Sequence, residues 1–278
     1  MRHAKLLSRA VAIMALLAGC ASATTAPPSS AGLGRIRANG ELVVGTAASM
    51  PPLNMTTKTG EIVGLEVDLA RAMAAAMKVK LRLAPVAFAD LLPALEAGRV
   101  DVVLSGMTMT PERNMRFAFV GPYFVSGKSF LAKEAMLTSS KGSEDLNNPK
   151  MRLAALRGST SQTFVQQNVP RATLVLTKDY DEAIALVLQD KVDAMIADYP
   201  VCIFSVRRYP DRGLFALVTP LTYEPIGIAL PGSDPLLVNW MQNWLRELEA
   251  TGELERTRDR WFKDTTWIGR LPDLVTRP

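Results

Sequence analysis

The stretch Ala94-Leu95-Glu96-Ala97-Gly98-Arg99-Val100-Asp101-Val102-Val103 has an echo in Ala185-Leu186-Val187-Leu188-Gln189-Asp190-Lys191-Val192-Asp193-Ala194-Met195-Ile196. Each reads as the end of a helix, a tight turn and a strand. Strands that alternate with helices in this way demand an α/β fold, because each helix must cover a sheet face while the chain returns for the next strand. Such units are generic to α/β proteins, so the residues just after each strand are more telling. One strand leads into Ser105-Gly106-Met107-Thr108 and the other into Ala197-Asp198-Tyr199. Open α/β sheets bind ligands beyond the carboxyl ends of their strands. Two similar sheets would therefore present different polar groups to one cleft.

Periodicity extends this pattern along the chain. A strand is expected at 42–45 and a helix over Leu65–Met77, with Leu65, Leu69, Met73 and Met77 on one face. Next come a strand near 79–83, a helix over 88–97, a strand at 100–104 and an extended segment at 117–119, the last ending at the Gly121-Pro122 break. A second set comprises strands at 152–155, 173–176 and 194–197 and helices at 161–168, 181–189 and 200–207. The chain then returns through 221–228 to helices at 235–251 and 253–261.

Within the first set, residues 105–123 carry the densest chemistry. Hydroxyls at Ser105, Thr108 and Thr110 precede Arg113, whose planar fork can grip a carboxylate through two parallel charge-assisted hydrogen bonds. A surface turn in which Arg113 pairs with Glu112 or Asp101 would look the same. Gly158-Ser159-Thr160 opens the 161–168 helix, where free N–H groups and the helix dipole favour an anion, although an ordinary Ser N-cap has the same residues. Asp198 ends an apolar strand, where a charge is costly without a cationic partner, or else it caps the helix before Pro200.

The order of Gly64-Leu65-Glu66-Val67-Asp68-Leu69-Ala70, Ser105-Gly106-Met107-Thr108-Met109-Thr110-Pro111-Glu112-Arg113, Gly121-Pro122-Tyr123-Phe124 and Gly158-Ser159-Thr160 resembles the family-3 periplasmic solute-binding proteins. That family captures amino acids for ABC importers, and the resemblance covers roughly 42–262. It implies a two-lobe, type II periplasmic-binding-protein-like α/β fold with a central ligand cleft and a two-strand hinge near 124–128 and 219–224. Lobe 1 would comprise 39–125 and 222–278, and lobe 2 would comprise 126–221. The resemblance implies that Arg113 binds the ligand carboxylate, helped by the N–H groups of Thr108 and Thr160. Asp198, the Thr108 hydroxyl and a carbonyl near Gly106 would receive the ligand ammonium. Phe88 matches a position whose ring packs on the ligand side chain, and as core filler it would look no different. Members that take basic amino acids often carry an acidic residue at Ala47 and an aromatic near Met50. This chain has neither, so a smaller or apolar side chain is expected, with Met50 adapting to it. A related branch of cyclohexadienyl dehydratases uses the same fold, but 158–163 lacks the carboxylic acid that such chemistry needs. A receptor, not an enzyme, is the expectation; a ligand sensor acting in trans is the other alternative.

The N-terminus is expected to be an export signal. Arg2, Lys5 and Arg9 precede an apolar run too short to span a membrane, and Leu17-Ala18-Gly19-Cys20 resembles a lipobox, so 1–19 would be removed and Cys20 lipidated. Residues 20–38, rich in Ala, Ser, Thr, Pro and Gly, read as a flexible tether. Losing the signal lowers the formal charge from +5 to +2, since its three cationic residues leave with it. Nucleic acid is therefore not an expected partner. His3, the sole histidine, also leaves, and Cys202 would be the only free thiol. No metal, cofactor or disulfide is expected. The expected product is a lipid-anchored periplasmic monomer that carries an amino acid or related carboxylate to permease subunits.

Overall fold

The computed structural model describes residues 31–134 and 146–274. The expected signal and Cys20 lie outside them. Where the sequence suggests a tether to residue 38, a helix spans Ala31–Asn39. It is fixed from far along the chain: Gly32 and Leu33 N–H both donate to Asp234 Oδ2 at 2.8 Å, and Ile36 is fully buried. Composition alone cannot reveal such an anchor.

The first sheet has the order Lys80–Pro85, Glu41–Thr46, Val102–Val103, Glu224–Pro231, Phe117–Ser126. Its first three strands are parallel, and the helix Leu65–Met77 crosses between Glu41–Thr46 and Lys80–Pro85 with Leu65, Leu69 and Met73 in the core. The second sheet has the order Thr173–Thr177, Arg152–Leu156, Ala194–Asp198, Lys128–Lys133, Leu214–Ala216. The two echo strands, Val102–Val103 and Ala194–Asp198, each hold the middle position of a sheet. Each is parallel to one neighbour and antiparallel to the other. Their carboxyl ends lead into the Ser105–Arg113 loop and Asp198.

Among the differences from expectation, three bear on how the cleft and the hinge are built. The 100–104 strand shrinks to Val102–Val103 because Asp101 turns aside to accept from Arg35 Nη2 and Val43 N, each at 2.7 Å. The segment expected to stop at Gly121-Pro122 continues to Ser126. Its ladder shifts register between Ile226 and Ile228, so no donor is required of Pro122. Finally, beyond the crossing expected at 124–128, Lys128–Lys133 is a full strand of the second sheet, for which the sequence reading had no element.

The lobes are joined where Ser126 ends one strand and Lys128 begins the next, and where the chain returns from Ala216 to Glu224. The crossings bond to each other: Lys128 N donates to Thr222 Oγ1 at 2.9 Å, and Leu221 N to Lys128 O at 2.7 Å. Gly127 is required there, since a Cβ would stand 2.1 Å from Thr222 O. Helices Pro235–Ala250 and Glu253–Phe262 return to the first lobe, where Trp261 Nε1 donates to Asp68 Oδ2 at 2.8 Å.

Candidate ligand-binding site

Arg113 is presented by local rules. Thr110 caps the short helix Pro111–Asn114, accepting from Arg113 N at 3.2 Å, and Pro111 supplies a preset first helical position. The guanidinium donates to Thr108 O at 2.9 Å and to Gly158 O of the second lobe at 3.2 Å, and it lies 5.9 Å from the centre of the Phe88 ring. It therefore spans the cleft and stacks on an aromatic face. The surface-turn alternative fails, because Asp101 is held by Arg35 and no salt bridge joins Arg113 to Glu112 among the described residues. Burial lowers the Arg113 pKa, with Asp198 the leading opposing charge. A guanidinium whose partners are neutral carbonyls retains its attraction for an anion.

Opposite it, Thr160 begins the helix Thr160–Asn168, and its hydroxyl lies 3.4 Å from that of Thr108. Ser159 is the N-cap: its hydroxyl accepts from Gln162 N at 3.2 Å and donates to Leu156 O at 2.6 Å. The Ser159 side chain is thus committed to the helix, which leaves backbone N–H groups as the donors this helix start can offer. Gly158 has φ +74°, and a Cβ on it would stand 3.1 Å from Ala89 Cα of the first lobe. Only glycine lets the lobes approach this closely.

Asp198 is the N-terminal flanking residue of Tyr199–Arg208 but makes no side-chain cap, so the capping alternative fails too. Its Oδ1 accepts from Lys128 Nζ at 2.9 Å, and Glu224 Oε1 lies 3.5 Å from the same ammonium. Lys128 is 0% exposed, Asp198 4% and Glu224 8%. One lysine thus bridges a strand end and both hinge crossings in a desolvated cluster. Sequence reasoning missed Lys128 and Glu224. The one available signal was a lysine at the head of the apolar run Ser129-Phe130-Leu131-Ala132.

Beneath the first-lobe loop, Glu66 is buried and accepts from Asn54 Nδ2 at 2.5 Å, Gly106 N at 2.6 Å and the Tyr123 hydroxyl. This pins the Gly106 backbone. Ser105 Oγ accepts from Ala47 N at 2.8 Å and donates to Met50 Sδ at 3.8 Å. The Ser105 and Met50 side chains therefore shape the loop, and Met50 joins Phe88 in one buried cluster. Burial raises the Glu66 pKa above its ordinary 4.5, with the three hydrogen bonds opposing and Asp198 adding to the rise. For a carboxyl raised on folding, the contribution to stability is fully present below the unfolded pKa and is lost as pH rises through the folded one. Chemical denaturation across pH 4.5 to 8 is expected to show this loss, and Glu66→Gln to flatten it. An unchanged slope in the variant would show that other groups cause the pH dependence.

Several buried hydroxyls lack hydrogen-bond partners among the described residues: Thr46 Oγ1, Ser49 Oγ, Ser126 Oγ, Ser161 Oγ and the Tyr180 hydroxyl. Tyr180 and Ser161 lie beside each other and near Asp198 without well-formed geometry, and burial holds the Tyr180 pKa far above normal.

Residues 42–264 match the family model for bacterial extracellular solute-binding proteins, family 3. The ABC transporter arginine-binding protein 1 of Escherichia coli is 28% identical over 221 residues, covering 78% of this chain and 89% of that protein. The cyclohexadienyl dehydratase of Pseudomonas aeruginosa is 25% identical over 257 residues, covering 92% and 94%. Among solved structures, a putative binding component of an ABC transporter from Wolinella succinogenes, complexed with lysine, is 36% identical with a TM-score of 0.78, covering 83% of this chain and 99% of that one. With its two-lobe fold and a cleft between matched motifs, this chain belongs to the family 3 bacterial extracellular solute-binding proteins.

Proposed function

We propose that this protein is the extracytoplasmic receptor of an ABC importer and closes its lobes, 39–125 with 222–278 against 126–221, on an α-amino acid. One observation carries the reading: the Arg113 guanidinium, unpaired with any carboxylate among the described residues, stands in the field of Asp198 on the opposite lobe. A ligand carboxylate at Arg113, with the Thr108 and Thr160 N–H groups, and a ligand ammonium at Asp198, Thr108 Oγ1 and the Gly106 carbonyl would bridge these charges. Lys128 donates to Asp198 Oδ1, and the carboxylate keeps acceptor capacity beyond that one bond for a ligand ammonium. Phe88 and Met50 would bound its side chain. The binding energy gained from both lobes stabilises the closed state.

Lipobox cleavage before Cys20 would tether a monomer at the membrane, beside the permease. The dehydratase relative raises a second reading, turnover of a cyclohexadienyl acid. Against it, 158–163 carries no carboxylic acid, and the Gln162 side chain is occupied by Gly158 N at 2.8 Å. The protein is expected to bind its ligand unchanged.

After bound ligand is stripped by unfolding and refolding, thermal unfolding against every proteinogenic amino acid tests the reading. A ligand at about 100 times its Kd adds about 2.7 kcal/mol, a shift of several degrees for a chain this size. A shift with a restricted group of α-amino acids is expected. No shift with any of them, or conversion of a cyclohexadienyl acid, would overturn it.

A further inference from the structure

We propose that residues 264–274 form a strap that ties the second lobe to the first outside the two hinge crossings, and that this strap limits how far the cleft opens when no ligand is bound. Such a tether acts on the lobes themselves, whichever ligand the cleft takes.

The first part of the strap is fixed to the first lobe. Trp267 is buried, with Nε1 donating to Trp261 O at 3.1 Å and to Asp264 O at 2.9 Å. Arg270 O accepts from Lys58 N at 2.8 Å, the Arg270 guanidinium donates to Glu61 Oε2 at 2.7 Å, and Leu271 enters the core cluster of the first lobe. The last part is fixed to the second lobe. Arg208, braced by Asp181 Oδ1 at 3.2 Å, donates to Pro272 O, and Leu274 N donates to the buried end of Tyr209, its hydroxyl, at 3.1 Å. The Leu274 side chain is 4% exposed and belongs to the same buried cluster as Tyr209, Tyr180 and Leu188.

Only Leu271 separates the two attachments. From Arg270 to Pro272 the chain spans at most about 7 Å. Leu271 is already extended, at φ −76° and ψ 147°, and the Pro272 ring sets its own φ, so little slack is left. Arg208 and Tyr209 therefore cannot move away from Arg270 without losing their bonds to the strap. The helix Tyr199–Arg208 meets the first lobe a second time one turn earlier, where the Phe204 ring centre lies 5.1 Å from that of Trp267 and 5.9 Å from that of Phe262. At its start the same helix is tied to the hinge, with Tyr199 N donating to Gly127 O at 2.8 Å. A helix held at its start, its middle and its end can roll against the first lobe but cannot swing away from it.

The arrangement that the strap holds is the closed one, in which Arg113 Nη2 reaches Gly158 O across the cleft at 3.2 Å. A receptor that rests near its closed form loses little affinity to the cost of closure, because the apparent Kd is the intrinsic value divided by the competent fraction. A fall in that fraction from about one half to about one twentieth weakens binding about tenfold.

Small-angle X-ray scattering of the ligand-stripped protein tests the proposal, comparing the unmodified chain with one carrying Gly-Ser-Gly-Ser inserted between Leu271 and Pro272. The insertion keeps both attachments and adds about 13 Å of reach. The unmodified protein is expected to scatter as the closed arrangement, and the insertion variant to show a larger radius of gyration with an unchanged circular dichroism spectrum. An unmodified protein that already scatters as separated lobes, or an insertion variant whose curve superimposes on that of the unmodified protein, would overturn the proposal. If the variant fails to fold, hydrogen exchange in the unmodified, ligand-stripped protein decides. The Leu274 amide is expected to be protected like the strand amides of Ala194–Asp198, and exchange at the rate of an unstructured peptide would show that the strap does not hold.

Discussion

Replacing Arg113 with alanine is expected to weaken amino-acid binding by about 2–5 kcal/mol, or about 30- to 5,000-fold, while the fold survives. The affinity loss is large because the ligand carboxylate, desolvated by closure, would have only backbone N–H groups at Thr108 and the Thr160–Asn168 helix start to meet its charge. The fold survives because Arg113 is only half-buried and its partners are carbonyl oxygens, not a buried carboxylate. Arg113→Lys should recover little, since an ammonium cannot reproduce the two-pronged fork or its stacking on Phe88. Calorimetric titration of Arg113→Ala and Arg113→Lys, with circular dichroism as the control for folding, decides this. Near-native affinity in Arg113→Ala would remove Arg113 from the site.

Asp198→Ala should behave quite differently. From the sequence it reads as a second ligand-contact change with the fold left intact, but the structure places Lys128 Nζ 2.9 Å from Asp198 Oδ1 in a fully buried position. Removing one partner of a buried ion pair typically costs about 3–5 kcal/mol, because the other charge is left stranded. A marked fall in the urea midpoint is expected in addition to lost ligand binding. Glu224, 3.5 Å from the same ammonium, will soften the loss without replacing Asp198. Asp198→Leu combined with Lys128→Met and Glu224→Gln, which leaves no buried charge of the cluster stranded, should recover much of the stability and none of the binding. An Asp198→Ala protein with an unchanged midpoint would show that Lys128 finds another way to keep its charge.

Much of the fold was legible because it is written locally. Leu65–Met77 is the helix that its apolar spacing predicts, and the second-lobe helices and strands expected at 152–155, 161–168, 173–176, 181–189, 194–197 and 200–207 fall within a residue or two of those bounds. The echo between 94–103 and 185–196 proved to be a topological correspondence, since both strands sit at the centre of matching sheets. The helix Ala31–Asn39 and the strand Lys128–Lys133 were not legible. One depends on Asp234 for its first N–H groups, and the other on pairing with Ala194–Asp198 and Leu214–Ala216.

The site divides along the same line. Thr110-Pro111-Glu112-Arg113 and Ser159-Thr160 announce themselves because a cap and the helix it starts are neighbours in the chain, so residue type and spacing determine where the Arg113 side chain and the helix N–H groups begin. Residue types alone also excluded histidine chemistry from both lobes, because the sole histidine is His3. Whether a given polar group is free or already spent depends instead on groups far away in sequence. Lys128 meets Asp198 across 70 positions, Gly106 N meets Glu66 across 40, and Arg113 reaches Gly158 across 45. A charge in a low-dielectric interior is governed by whichever partner packing brings within about 4 Å, and one sequence leaves that choice open until the two sheets close on each other.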